Sequence, residues 1–307
     1  MTSLYIASTT AYSGKTALAM GIGLYARSRG QKVAYFKPVS LQGYYPNDLS
    51  GDLDHDAQFA RRVFGLTDIE ADVLSPIRVN DAMLAQIMDG DVQPDDLWQR
   101  IDRTIERLQD GRDFILIEGG GTLRDGFSVG IDIQSLPARY DLPVLVVSGW
   151  RSSVLTIDDI LSAQKILQER LLGVIINSVP EAAEPALESV VRPFLLKNGI
   201  TVFGHLPLHP QLRAISINEL IRLLGAQLLV GTADPQRLIE GFSVGAMSVE
   251  SALPVLRAAT NTAVITGADR TDMQGAALES SSVACLILTG TDSVSPHILQ
   301  RAEEVGV

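Results

Sequence analysis

Short apolar runs recur along the first two thirds of the chain, at residues 4–7, 33–36, 114–117, 144–147, 174–176 and 202–206. Runs of this length without polar alternation suit strands of a parallel sheet buried on both faces. Between them lie segments of helical pattern. In the first, over 15–29, Leu18, Ile22 and Tyr25 fall on one stripe, and Gly30 stands where a helix-terminating glycine belongs. Strands that alternate with helices in this way predict an α/β fold with a doubly wound, mostly parallel sheet.

The pattern changes after Pro207-Leu208-His209-Pro210. A helix is expected over 217–224, followed by a new series of short strands, so the boundary is set between residues 214 and 215. This gives a first domain over 1–214 and a smaller α/β domain over 215–307. A chain of 307 residues is long enough for two such cores.

Composition narrows the class of partner. The net charge of −11 argues against a nucleic-acid backbone or an anionic membrane as the main partner. The single cysteine, Cys285, excludes an intramolecular disulfide and reads as a strand-core residue within 284–288. The N-terminus enters a strand directly, without the features of a signal peptide, and no apolar stretch reaches the roughly twenty residues of a membrane span. The expected location is therefore cytoplasmic. His55, His205, His209 and His297 lack metal-ligand spacing.

The segment Ser8-Thr9-Thr10-Ala11-Tyr12-Ser13-Gly14-Lys15-Thr16 follows the first apolar run and opens the first helix. Backbone N–H groups at a helix start carry partial positive charge, Lys15 adds a full one, and the Thr16 hydroxyl is placed to ligate magnesium. Ser13, Gly14, Lys15, Thr16 and Ala17 are thus candidate nucleotide-binding residues. Thr9 stands where the common phosphate-loop pattern has glycine. Other polar residues fall at strand ends, where ligands of such sheets collect: Lys37 before Pro38, Glu118 before Gly119, Gly120 and Gly121, and Asn177 before Ser178. Each has a plain alternative: Lys37 as a solvated lysine, Glu118 as a satisfied core acid, Asn177 as a turn residue. Asp52, Asp54 and Asp56 precede a helical pattern through Phe59, Val63 and Phe64, and are either helix-capping acids or a source of one metal ligand.

Four blocks, residues 8–16, Lys37-Pro38-Val39, Glu118-Gly119-Gly120-Gly121 and 173–177, give residues 1–206 a resemblance to dethiobiotin synthetase, and most closely to the similar domain at the N-terminus of large bacterial phosphotransacetylases. The resemblance implies a P-loop NTPase-like fold binding Mg2+ and ATP or ADP. It gives Thr16, Asp54 and Glu118 to the metal, Lys15 and Lys37 to the reacting phosphate, Gly119 and Gly120 to the phosphate or substrate space, and Asn177 to the adenine edge. Residues 241–248, 264–272 and 286–290 resemble the DRTGG domain, with Asp272-Met273 in place of its two glycines. In relatives that domain is associated with self-association and nucleotide regulation, which implies a homodimer and a possible partner enzyme. Thr266-Gly267 and Thr289-Gly290 each end an expected strand, and Ser248 is an expected helix cap. The chain ends at Glu304-Val305-Gly306-Val307, where a further strand is expected, so either the domain is minimal or the sequence is cut.

The leading functional expectation is a Mg-nucleotide-binding regulatory protein without acetyl transfer, since the acetyl-transferring domain follows these two domains in long phosphotransacetylases. Two alternatives stand beside it. One is an ATP-dependent enzyme of the dethiobiotin synthetase type, which activates a small carboxylate or carbamate as a mixed phosphoric anhydride. The other is a degenerate nucleotide fold serving as a dimer scaffold.

Overall fold

The computed structural model describes residues 2–41, 54–230, 234, 236–290 and 294–307. Asp52 lies outside the described residues. The chain divides into two compact units, Met1–Leu208 and His209–Val307. The break precedes the 214/215 position expected from sequence. The Leu208 N–H still donates to the Val179 carbonyl at 2.8 Å, whereas Pro210–Arg213 form a 3-10 turn leading into the second unit.

The first unit runs β1 (Thr2–Ser8), α1 (Lys15–Ser28), β2 (Val33–Phe36), β3 (Val39–Leu41), α2 (His55–Phe64), α3 (Ala71–Leu74), β4 (Ile77–Val79), α4 (Asp81–Asp89) and α5 (Pro94–Gln109). It continues with β5 (Phe114–Glu118), α6 (Ser135–Arg139), β6 (Val144–Gly149), α7 (Ser153–Leu167), β7 (Leu171–Val179), α8 (Glu184–Ala186), α9 (Arg192–Lys197) and β8 (Val202–Pro207). Six strands make one sheet in the order β2-β5-β1-β6-β7-β8, and every neighbouring pair is parallel. The apolar runs read from the sequence are these six strands. β2 and β5 are buried along their whole length, which is what a parallel sheet covered on both faces requires. The short strands β3 and β4 pair separately, also in parallel.

α1 packs by a different stripe from the expected one. Its buried residues are Lys15, Ala19, Met20, Gly23 and Ala26, while Tyr25 is 65% exposed and Leu18 and Ile22 are only partly buried. Small residues on the buried stripe let the helix axis approach its neighbours, and the bulky side chains are displaced to the flanks. At Gly23 an added Cβ would lie 2.4 Å from the Phe64 ring and 2.9 Å from Leu116. A helix seated this deeply carries its N-terminus to the edge of the sheet beside the ends of β1 and β5.

The second unit contains β9 (Ile215–Ser216), α10 (Ile217–Leu224), β10 (Leu238–Ile239), β11 (Gly241–Val244), α11 (Val249–Ala258), β12 (Thr262–Gly267), α12 (Thr271–Leu278), β13 (Val283–Thr289) and α13 (Pro296–Val305). β9 and β10 pair antiparallel, and β11-β12-β13 form a parallel sheet. Gly267 and Thr289 are partners in register, so the two Thr-Gly segments do end neighbouring strands on one edge. Ser248 sits at the start of α11, but its hydroxyl bonds the Ser251 hydroxyl and not a backbone N–H, so it does not act as the expected cap. Arg270 holds Asp272 and the Met247 carbonyl. Cys285 is half-buried in β13, and burial raises its thiol to about 11. Among the described residues no helix is long and apolar enough to cross a membrane.

Two glycines of α1 should respond oppositely to alanine. Gly21 has open space around its Cβ position, so Gly21→Ala should stabilise by roughly 0.5–1 kcal/mol through helix propensity. Gly23→Ala should destabilise by about 1–2 kcal/mol, because crowding against Phe64 and Leu116 outweighs the same gain. Urea unfolding of both variants checks the pair. Equal shifts would show that α1 is not seated as described.

Candidate functional site

The candidate site lies at the C-terminal edge of the six-stranded sheet. β1 leads into residues 9–14, and Gly14 caps α1 in the left-handed region at φ 86°. The first backbone N–H of α1 to bond back is that of Leu18, to the Gly14 carbonyl at 3.0 Å. The N–H groups of Lys15, Thr16 and Ala17 therefore lack intrahelical acceptors, as in any first helical turn, and leave partial positive charge there. Tyr12 is also left-handed, at φ 58°, and stands 75% exposed on the loop.

Hydrogen bonds from three neighbouring strand ends fix the loop. The Ser8 hydroxyl donates to the Gly121 carbonyl at 2.9 Å, and the Thr9 and Ser148 hydroxyls lie 3.1 Å apart. The Thr9 N–H donates to the Val147 carbonyl at 3.1 Å. Asn177 Nδ2 donates to the Ser13 carbonyl at 2.8 Å. The Thr9 hydroxyl thus has a use where the common phosphate-loop pattern has glycine, and the Ser8 hydroxyl is engaged beside it. Asn177, expected at the adenine edge, is engaged here as a tie on the loop. It also explains Gly14, where an added Cβ would lie 2.1 Å from Asn177 Nδ2.

Glu118 is the centre of the arrangement. It ends β5 opposite Ile6 of β1 and is 0% exposed. Lys15 Nζ donates to its Oε1 at 2.5 Å, and the Thr16 hydroxyl donates to the same oxygen at 2.8 Å. The Tyr35 hydroxyl donates to Oε2 at 2.9 Å. A carboxylate removed from water in this way is tolerated only when paired and hydrogen-bonded. Tyr35 stays a protonated donor, because burial first, and then the charges of Glu118, Asp56 and Asp54, hold its hydroxyl well above the usual phenol value.

A second charged group lies just beyond β2. Lys37 Nζ is 2.9 Å from Asp54 Oδ2 and 2.6 Å from Asp56 Oδ2. Asp54 also accepts from the Ser40 hydroxyl at 2.6 Å and, through Oδ1, from the Ala57 N–H at 2.9 Å. Asp54 is therefore the N-cap of α2, one of its two sequence readings, and an ion-pair partner as well. Burial works against the charge on Lys37 but is outweighed by Asp54, Asp56 and Glu118, so its pKa is raised. Burial likewise opposes Asp54, and Lys37 together with the Ser40 and Ala57 donors still lowers it.

Protein packing requires glycine at 119 and 120. A Cβ on Gly119 would lie 2.5 Å from the Tyr5 hydroxyl, and one on Gly120 would lie 2.2 Å from Asp125 Cβ. Asp125 accepts from the Gly121 N–H at 2.6 Å and the Thr122 hydroxyl at 2.7 Å. Sequence reasoning missed Tyr35, Ser40, Tyr5 and Asp125. Strand alternation carried a signal for the first, since Tyr35 and Lys37 have the same parity on one extended segment.

The chain's own residues fit a magnesium nucleotide. The Ser13 hydroxyl is buried without a partner among the described residues, inside a cradle formed by the loop and the open first turn of α1. Thr16 and Glu118 supply hard oxygen donors, and magnesium takes few protein ligands and retains waters. No group of three or more histidines, cysteines or acids that could hold a metal by itself is found among the described residues.

Residues 2–216 match the family model described as "AAA domain", and residues 219–307 match that of the DRTGG domain. The chain is similar to the phosphate acetyltransferase of Pseudomonas putida, 27% identical over 97% of this chain and 43% of that protein. It is also similar to the ATP-dependent dethiobiotin synthetase of Frankia casuarinae, 32% identical over 61% of this chain and 75% of that protein. The MinD cell division protein of Aquifex aeolicus overlays 77% of this chain and 92% of its own, at 17% identity and a TM-score of 0.41. That overlap is too loose to add to what the sheet order shows. The chain spans under half the length of the phosphate acetyltransferases it matches.

Asp54→Asn keeps an N-capping side chain but removes the charge facing Lys37. The loss in stability should be about 1–3 kcal/mol near neutral pH. Asp54 is lowered in the folded state, so its contribution is full above its usual value near 4 and fades as pH falls through the lowered one. Lys37 is raised, so its contribution is full below its usual value near 10.4 and fades only as pH rises above that. Urea unfolding across pH should show a constant gap between variant and wild type from about pH 5 to 9 that closes under acid. A gap that widens under acid would remove the assigned pairing.

Proposed function

Because the chain belongs to the AAA-domain family in its dethiobiotin synthetase-like form over residues 2–216 and carries a DRTGG domain over 219–307, the arrangement found in the N-terminal part of phosphotransacetylases, we propose that it is a Mg-ATP- or Mg-ADP-binding sensor. The observation that carries this reading is the convergence of Lys15 and Thr16 on buried Glu118 beneath the open first turn of α1. These residues suit phosphate and a divalent cation, and residues 1–307 are read as a nucleotide-sensing and not an acetyl-transferring part.

In this reading the N–H groups of α1 and the Lys15 ammonium bind nucleotide phosphates, which releases Lys15 from Glu118. Thr16 and Glu118 hold Mg2+, which neutralises phosphate charge when bound. Asp54 reaches the metal only by exchanging Lys37, and that exchange would free Lys37 for the terminal phosphate. Asn177 keeps the loop in place from its Nδ2, while its carbonyl oxygen is the atom left to meet the adenine amino group. A homodimer built through the second unit, and a partner enzyme that responds to the nucleotide, complete the proposal.

Lys37 favours a second reading. A lysine held by two carboxylates beside the phosphate loop also suits stabilisation of a transferring phosphoryl group in an ATP-dependent activation of a small carboxylate or carbamate.

Calorimetric titration with ATP, ADP, AMP and GTP, with Mg2+ or with EDTA, tests the proposal. Mg2+-dependent ATP or ADP binding is expected, at least about tenfold weaker in Lys15→Ala, equivalent to about 1.4 kcal/mol. Phosphate release on the bound nucleotide, measured with carboxylates and diamines, would transfer the assignment to the enzyme. Absence of heat with every nucleotide at millimolar concentration would leave a scaffold role and remove the sensor.

A further inference from the structure

We propose that Tyr35 is a positioning residue for Glu118, and that its hydroxyl sets how strongly Mg2+ binding and nucleotide binding reinforce one another at this site. The inference rests on the nucleotide reading above and names a residue which that reading does not use.

The three donors to Glu118 are unequal. Lys15 and Thr16 share Oε1, and both are committed to phosphate and metal once nucleotide is bound. Tyr35 takes Oε2 at 2.9 Å from the opposite side. It belongs to β2, paired in register with Leu116 of β5, two residues before Glu118. Its ring is fully buried in a parallel sheet, so it cannot follow a ligand as a lysine side chain can. When Lys15 turns to the phosphates and Thr16 to the metal, Tyr35 is the donor that stays. It then fixes the carboxylate plane and presents Oε1 toward the metal site. Partners one step removed from a metal commonly change affinity by 10–100-fold in this manner.

The competing account is that Tyr35 is a core residue whose hydroxyl merely needed an acceptor. The two accounts differ in what the hydroxyl does to the Mg2+ dependence. Tyr35→Phe removes one oxygen and keeps the ring. ADP titrations of the full chain, in Mg2+ and in EDTA, are expected to show the Mg2+-dependent gain in affinity reduced about tenfold in Tyr35→Phe, the loss in Mg2+ exceeding any in EDTA by that factor. In a Glu118→Gln background the same substitution is expected to have no further effect on the gain.

An unchanged gain in Tyr35→Phe, or equal weakening with and without Mg2+, overturns the positioning role. A wild type that binds no nucleotide overturns the nucleotide reading first and this inference with it, so the two failures are distinct. Should Tyr35→Phe not fold, 3-fluorotyrosine at position 35 provides the reading by 19F resonance. A shift on adding Mg2+ to the ADP-bound chain, lost in Glu118→Gln, supports the role, and no shift overturns it.

Discussion

A carboxylate with no exposed surface stands at the end of β5, and much of the first unit is arranged to make that tolerable. An unpaired Glu118 would be among the most costly groups in the core. Lys15 and Thr16 reach it because α1 is seated closely through Ala19, Gly23 and Ala26, and Tyr35 reaches it because β2 lies on the far side of β5 from β1. The order β2-β5-β1 is what brings three donors from two elements onto one acid. The same seating puts the open first turn of α1 at the edge where ligands of parallel sheets collect.

The second charged group obeys a similar rule with a looser grip. Lys37, Asp54 and Asp56 bring two acids to one base, and Asp54 doubles as the cap of α2. Cap and ion pair share one side chain, so any event that draws Asp54 away also disturbs the start of α2. That is a physical route by which a bound ligand would alter the backbone, and it needs no element beyond those already in contact.

The second unit is built on the same economy of parallel strands, with β12 and β13 ending together at Gly267 and Thr289. Its residues 269–271, Asp269-Arg270-Thr271, have an internal use for the arginine, which bridges Asp272 and the Met247 carbonyl. The departures from the family name at Asp272 and Met273 are therefore structural parts of this copy. Asp272 pairs with Arg270, and Met273 is buried against Gly245.

The sequence by itself determined the six strands of the first sheet, the fold class, the phosphate loop and the positions of Lys15, Thr16, Lys37, Glu118 and Asn177 at strand or helix ends. Those features are local: apolar runs too short for helices, a glycine and lysine at a helix start, a polar residue closing five of the six runs. Only the tertiary structure decided what these side chains do to one another. That Glu118 is shared by Lys15 and Tyr35, that Asn177 holds the Ser13 carbonyl, and that Asp54 spans a cap and an ion pair each depend on contacts between strands and helices far apart in the chain. The misplaced stripe on α1 has the same origin. Periodicity favours bulky apolar residues as the buried face, but close approach to the sheet selects small ones, and how close a helix must come is set by the partner it meets.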